Sequence, residues 1–193
     1  MPKIGLFFGS FNPIHIGHLM LAEYIVENTD LKEIWFVVSP SNPLKKKATL
    51  LSEHQRLYMV NLAIEDDSRF RSCDIEFKLS YPSYTCHTLV HLQEKFPDKE
   101  FALIMGEDNL ENIEKWKNYE FILDNYSIYT YPRLGYDGGK YKQHPSVVFV
   151  DAPQIEVSAT MIRDALAQGK TMKYFLHPKV EEFIDQMQLY RKR

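Results

Sequence analysis

Five strand-length runs of almost unbroken apolar residues punctuate this chain, with helix-patterned segments between them. The runs are KIGLFF (3–8), EIWFVV (33–38), FALIM (101–105), SIYTY (127–131) and VVFV (147–150). A strand with one wet face alternates polar and apolar residues, whereas one covered on both faces does not. These runs therefore predict buried strands of a parallel sheet. Between them, Leu19, Ala22 and Val26 recur at helical spacing, as do Leu89, Leu92 and Phe96. Leu57, Val60 and Ile64 form a further stripe, behind Ser52 and Gln55 in capping-box register. The alternation predicts an α/β fold, an open, doubly wound, mostly parallel sheet, with a small helical part at the C-terminal end. A length of 193 residues suits a single domain, 1–193, with an ordinary core. PRLGYDGGKYKQHP (132–145) reads as a surface loop or hairpin, and the final YRKR as a solvated basic tail.

Charge narrows the function classes. The formal net charge of −3 argues against a broad nucleic-acid or membrane surface, but leaves room for a local cationic pocket. Cys73 and Cys86 stand in no CxxC pattern, so neither a disulfide framework nor a zinc knuckle is suggested. No apolar stretch has the length of a secretory signal or a membrane span. The expectation is a cytoplasmic enzyme or binding domain.

GSFNPIHIGH (9–18) follows the first predicted strand and leads into a helix starting near Gly17. In open α/β sheets ligands bind beyond the carboxyl ends of the strands, so this is a ligand position. Gly9 and Ser10 allow close backbone approach, Asn12-Pro13 makes a turn, and the helix N-terminus favours anions. The chain lacks GxGxxG and Walker A patterns, so the cationic work falls to His15 and His18, whose imidazoles can donate to phosphoryl oxygens. Two histidines give too few ligands for a metal site, and none is predicted. A bare HxxH pair can equally cap a helix and pack.

The ten residues resemble the signature of the HIGH-type nucleotidyltransferases, whose four letters are His15-Ile16-Gly17-His18. That resemblance implies a Rossmann-like fold and histidines that hold ATP phosphates during nucleotidyl transfer with release of pyrophosphate. EVSATMIRDALAQGK (156–170) fits a second phosphate-binding helix, with Ser158 as cap, Ile162, Ala165 and Leu166 as apolar face, and Gly169 as terminator. It looks like the superfamily's ISSTxIR motif, with Ala159 in place of a second serine. SPSNPLKKKATL (39–50) is a lysine-rich loop; a solvated lysine run is its ordinary explanation, and closure over phosphates the functional one.

Over nearly its full length the chain resembles the bacterial nicotinate-nucleotide adenylyltransferases. PSYT (82–85), IMGEDN (104–109), KW (115–116), EVSATMIR and YFLHPKVEEFI (174–184) carry the resemblance. It implies that ATP and nicotinate mononucleotide, accompanied by Mg2+, give deamido-NAD and pyrophosphate in NAD biosynthesis. Carried over, Gly9, Ser10, Phe11, His15 and His18 line the ATP side, and Gly106 and Asp108 meet the adenosine ribose. Ser158, Thr160 and Arg163 bind the triphosphate, and Lys46 matches the lysine of the family's PPHK loop. His15, His18, Lys46 and Arg163 are then the catalytic set. Thr85, Trp116 and Lys117 face the nicotinate. Asp108 as a mere helix cap and Trp116 as a core residue are the ordinary alternatives.

The departures lie toward the acceptor. Leu44-Lys45 replaces the Pro-His of the PPHK loop, His87 stands where an acidic residue is usual, and Lys117 where an aromatic is common. His87 and His91 are i, i+4 on one helix, without an evident third metal ligand. Rival readings are a transferase acting on nicotinamide mononucleotide or another small acceptor, a non-catalytic nucleotide-binding module, and an RNA-binding synthetase fragment. A homo-oligomer is compatible with the sequence.

Overall fold

The computed structural model describes residues 1–40, 50–79 and 82–191. Its sheet contains β1 (Lys3–Gly9), β2 (Glu33–Val38), β3 (Phe70–Cys73), β4 (Glu100–Gly106), β5 (Ser127–Tyr131) and β6 (Val147–Phe149). Their spatial order is β3-β2-β1-β4-β5-β6, and every neighbouring pair is parallel. The order reverses between β1 and β4, so the crevice beyond Gly9 and Gly106 is the switch point where such sheets bind ligands.

The helices are α1 (Ile16–Asn28), α2 (Glu53–Ile64), α3 (Thr85–Lys95), α4 (Glu107–Glu111), α5 (Tyr119–Asn125), α6 (Ala159–Ala167) and α7 (Pro178–Gln186). They cover both faces of the sheet. Strand side chains alternate between faces, so each apolar run feeds two cores. Ile34, Phe36, Val38, Ala102 and Ile104 join one core with α1, α2, α6 and α7. Trp35, Val37, Phe101, Leu103 and Met105 join the other with α3, α4 and α5. Those helices after β6 form the expected C-terminal helical part.

Helix ends follow the sequence signals. Ser52 caps α2 by accepting from Gln55 N at 3.3 Å. Ser158 caps α6 by accepting from Met161 N at 3.1 Å. α6 closes with Gly169 N on the Leu166 carbonyl and Lys170 N on that of Ala165, both at 3.0 Å, the paired bonds of a Schellman motif.

Three expectations are corrected. The sheet has a sixth strand, β3, whose sequence FRSC gave no apolar run. Of the two readings of 132–145, surface loop or hairpin, the hairpin falls and the loop stands, because the segment joins two parallel strands and contains a 3-10 turn, Gly139–Gln143. The YRKR tail is not wholly solvated, because its first residue, Tyr190, packs against the core that holds Leu189.

Candidate active site

At the end of β1 the chain turns through Ser10, Phe11 and a cis Asn12-Pro13 peptide into α1. Phe11 has φ +43 and is 2% exposed; its ring packs edge-on to those of Phe7, Phe36 and His18. That ring belongs to the core rather than to the cleft. The turn delivers His15 to the N-cap of α1 and His18 one turn later. Their rings stack with centroids 3.7 Å apart, at 26°. His15 N donates to His18 Nδ1 at 3.2 Å. A ring nitrogen that accepts is unprotonated, so neutral His18 carries its proton on Nε2. A Cβ on residue 17 would lie 3.1 Å from His15 Nδ1 and 3.4 Å from Ile155 Cγ2, so a side chain there would press on the His15 ring by a few tenths of an ångström.

His15 is 5% exposed, and its Nδ1 has no hydrogen-bond partner among the described residues. Burial, with the charge of Arg133 nearby, pushes its pKa from the ordinary 6.5 down to about 4. In the unfolded chain His15 takes up a proton as pH falls through 6.5, while in the folded chain it does so only near 4. Between those values the unfolded state binds the extra proton, so stability falls with pH, by about 3 kcal/mol in all. We expect His15→Gln to remove this component of the slope in denaturant unfolding followed from pH 7 to pH 4. Parallel curves for the two proteins would contradict the buried, neutral imidazole.

Asp108 lies in the first turn of α4 but does not cap it; the N-cap is Gly106. Its Oδ1 makes no hydrogen bond among the described residues and stands 3.6 Å from Arg133 Nε. A Cβ on residue 106 would sit 2.4 Å from that Oδ1 and 2.7 Å from Arg133 Cγ, which explains the glycine. Buried polar atoms without a hydrogen-bond partner are uncommon, and of those among the described residues His15 Nδ1 and Asp108 Oδ1 both belong to side chains that feel the charge of Arg133, which marks this region as a place for a polar ligand. Arg133, just beyond β5, escaped the sequence reading. Its charge acts on His15, Asp108 and Tyr131, and it lies 5.9 Å from the Tyr131 ring centroid.

From the other direction, α6 brings Arg163 against the same turn. Its Nη1 donates to the Asn12 carbonyl at 2.8 Å, and its Nη2 to Thr160 Oγ1 at 3.1 Å. Ser158 and Thr160 are exposed at the start of that helix. The structure thus joins Gly9, Ser10, His15, His18 and Arg163 in one region. Lys46, with Leu44 and Lys45, lies outside the described residues.

A second interior feature was also missed. Arg56 of α2 is 0% exposed and donates to four backbone carbonyls. These belong to Leu51 at 3.0 Å, Ser10 at 2.6 Å, and Ser39 and Pro40 at 2.7 Å each. It lies on the buried stripe Arg56, Met59, Val60 and Ile64, one residue away from the stripe expected through Leu57.

The residues expected at the acceptor side form another group. Thr85 opens α3, after Tyr84 as N-cap. Lys117 Nζ stands 4.5 Å from the Tyr84 ring centroid, and the His87 ring lies 5.6 Å from the same ring. Trp116 is half-buried against the second core. His91 faces Glu94 at 3.9 Å. Among the described residues no group of three or more His, Cys, Asp or Glu is arranged to hold a metal ion, and no helix is long and apolar enough to cross a membrane.

Comparison with known proteins agrees with this geometry. A model of the cytidylyltransferase-like family matches residues 6–165. A probable nicotinate-nucleotide adenylyltransferase of Flavobacterium johnsoniae is 53% identical over 192 residues, covering 98% of this chain and 100% of the relative. Another protein of that name, from Bacteroides fragilis, is 49% identical over 184 residues, 95% of this chain and 92% of the relative. In fold, the chain is similar to Plasmodium falciparum nicotinic acid mononucleotide adenylyltransferase complexed with NaAD, with a TM-score of 0.83 at 23% identity over 98% of both chains. With the histidine stack at the end of β1 and a relative more than half identical along its whole length, this chain belongs to the nicotinate-nucleotide adenylyltransferase family of nucleotidyltransferases.

Proposed function

We propose that the chain transfers the adenylyl group of ATP to nicotinate mononucleotide, giving deamido-NAD and pyrophosphate, as a cytoplasmic step of NAD biosynthesis. The observation that carries this reading is the meeting of the stacked His15–His18 pair with Arg163 across the Asn12 turn, at the carboxyl end of β1.

An oxygen of the acceptor's phosphate attacks the α-phosphorus of ATP. A new P–O bond forms, the bond from that phosphorus to the bridging oxygen breaks, and pyrophosphate leaves with the electron pair. The nucleophile is already anionic, so no general base and no covalent enzyme intermediate are needed. Catalysis is positioning and charge stabilisation. His18 donates from Nε2–H and His15 from its one ring N–H, while Arg163 turns its fork toward the triphosphate. Gly9 and Ser10 admit the phosphates to the backbone, and Ser158 and Thr160 add hydroxyls at the α6 N-terminus. Ser158 can still donate its proton while its oxygen caps the helix. Asp108 accepts from the ribose hydroxyls beside Gly106, with Arg133 steadying its carboxylate. Lys46 completes the cationic set.

The donor chemistry suits Mg2+ carried by the nucleotide's own phosphates and by water, since the described residues offer no three-ligand protein cage. When bound there it supplies charge neutralisation of the triphosphate. On the acceptor side, Thr85, Trp116 and Lys117 meet the nicotinate, with the Lys117 ammonium favouring a carboxylate over a neutral amide. Tyr84, which Lys117 covers, supports that placement.

The test gives the purified chain ATP, Mg2+ and either nicotinate or nicotinamide mononucleotide, and follows dinucleotide and pyrophosphate by chromatography. We expect at least about tenfold higher kcat/KM with the nicotinate form, and a smaller ratio in Lys117→Met. Equal use of both acceptors would refute the stated specificity, and product from neither would refute the reaction.

A further inference from the structure

Asn12 is the hub of the phosphate turn. It is 4% exposed, and three distant parts of the chain reach it. Arg163 Nη1 of α6 donates to its carbonyl at 2.8 Å. Leu51 N, just before α2, donates to its Oδ1 at 3.3 Å. The hydroxyl of Tyr190, 178 residues away in sequence, donates to that same Oδ1 at 2.8 Å.

Backbone geometry beyond α7 is what brings Tyr190 there. The helix closes with Gln188 N on the Asp185 carbonyl at 3.2 Å and Leu189 N on that of Ile184 at 3.0 Å, again a Schellman pair. Gln188 takes the left-handed position at φ +51, where glycine is usual, and Tyr190 repeats the conformation at φ +63. A left-handed conformation costs a non-glycine residue about 1–2 kcal/mol. Leu189, between them, is anchored in the main core. The double turn points the phenol inward, where burial raises its pKa despite the charges of Arg163 and Arg56. The hydroxyl is therefore a neutral donor at any working pH.

We infer that Tyr190 is a positioning residue for adenylyl transfer: through the Asn12 amide it fixes the turn that carries His15 and His18. It touches no reacting group. Leu51 N and the Tyr190 hydroxyl both donate to Oδ1, and the two donors together fix the plane of the amide. That plane sets the peptide next to the carbonyl which Arg163 grips. A turn free to shift by a fraction of an ångström misaligns the α-phosphorus, and such losses of alignment act on turnover. This inference rests on the reaction proposed above.

Tyr190→Phe tests it, because it deletes one hydroxyl and keeps the ring. Assayed in the full chain with ATP, Mg2+ and nicotinate mononucleotide, the variant should lose about fivefold or more in kcat, with a raised KM for ATP. The KM for nicotinate mononucleotide should stay within about twofold of wild type, since Lys117 packs over Tyr84 at the start of α3 whereas Tyr190 bonds to Asn12 in the turn after β1. A purely structural tyrosine would lower the melting temperature and leave the kinetic constants of the folded protein unchanged; that result overturns the inference. Asn12→Ala supplies a second arm. If Tyr190 acts through Asn12, Tyr190→Phe adds little to the loss already caused by Asn12→Ala, whereas fully additive losses overturn the inference. The two readings fail separately. A wild-type chain that forms no dinucleotide sinks the reaction and this role with it, while an active wild type matched by Tyr190→Phe sinks only the role of Tyr190.

Discussion

His18→Asn should lower kcat by about 100-fold and leave the fold in place. The asparagine side-chain oxygen can occupy the position of Nδ1 and keep accepting from His15 N, the bond that measures 3.2 Å in the structure. What it cannot supply is the Nε2–H on the far side of the ring. Charge builds on the bridging oxygen as pyrophosphate departs, and a preorganised donor in a partly desolvated cleft stabilises that charge without reorganising. His15 cannot compensate fully. Its imidazole is neutral at pH 7, since burial has pushed its pKa down to about 4, so it offers a single N–H. Loss of the stacked ring and of its edge contact with Phe11, 5.1 Å between centroids, should cost no more than about 2 kcal/mol of stability. His18→Gln reverses the substitution geometry. Its amide reaches the Nε2 position but not Nδ1, so it should retain more turnover than His18→Asn. Single-turnover rates with ATP and nicotinate mononucleotide, beside melting curves, give the comparison. Near-wild-type turnover in His18→Asn would remove the donor role.

The parts of this molecule legible in sequence are those that local pattern determines. Continuous apolar runs announced β1, β2, β4, β5 and β6, because burial on both faces removes the polar alternation. Ser52, Ser158 and Gly169 announced helix ends, because capping chemistry is local. β3 left no such trace. It is an edge strand with β2 as its one neighbour, four residues long, and Arg71 and Ser72 occupy half of it. Within the site, the histidines and Arg163 stand in contiguous motifs, whereas Arg133 does not. It meets Asp108 only because β4 and β5 pair with Gly106 opposite Tyr131, which sets the residues just past both strand ends side by side. The depressed pKa of His15 was likewise hidden, since it follows from burial in the folded chain and from the charge of Arg133, distant in sequence. Tyr190 reads in sequence as part of a basic tail, and only two left-handed residues turn it inward. Register and long-range closure, not residue type, assign these roles.

Arg56 is the extreme case of such a residue, and its replacement should carry the largest stability cost in the protein. A helix arginine among Leu57, Tyr58 and Met59 reads as a surface cation, yet this one is 0% exposed. Its fork donates to the carbonyls of Ser10, Ser39, Pro40 and Leu51 at 2.6–3.0 Å. Those four carbonyls belong to the turn after β1, the exit of β2 and the lead into α2; the β1–β2 ladder ends at Gly9 and Val38, with Ser39 N on the Gly9 carbonyl, and the lead into α2 lies outside it. Burial lowers the guanidinium pKa, but an arginine starts so high that it stays charged, and the carbonyl dipoles take the place of water around it. Arg56→Met fills much of the volume and removes the desolvated charge, which is favourable, but strands four acceptors in the interior. A buried acceptor left without a donor costs about 1–3 kcal/mol, somewhat less where a carbonyl keeps another partner. The acceptors outnumber the single charge relieved, so the net loss should be about 3–5 kcal/mol, comparable with breaking other buried charged networks. In a chain of this size that corresponds to a fall in Tm of about 10 °C. Arg56→Lys keeps the charge but replaces a planar fork with a single ammonium, which cannot serve carbonyls spread across three segments. It should therefore recover less than half of the loss. Urea unfolding of the two variants beside wild type measures both quantities. A loss under about 1 kcal/mol in Arg56→Met would mean that the carbonyls find other donors and that the three segments hold together without it.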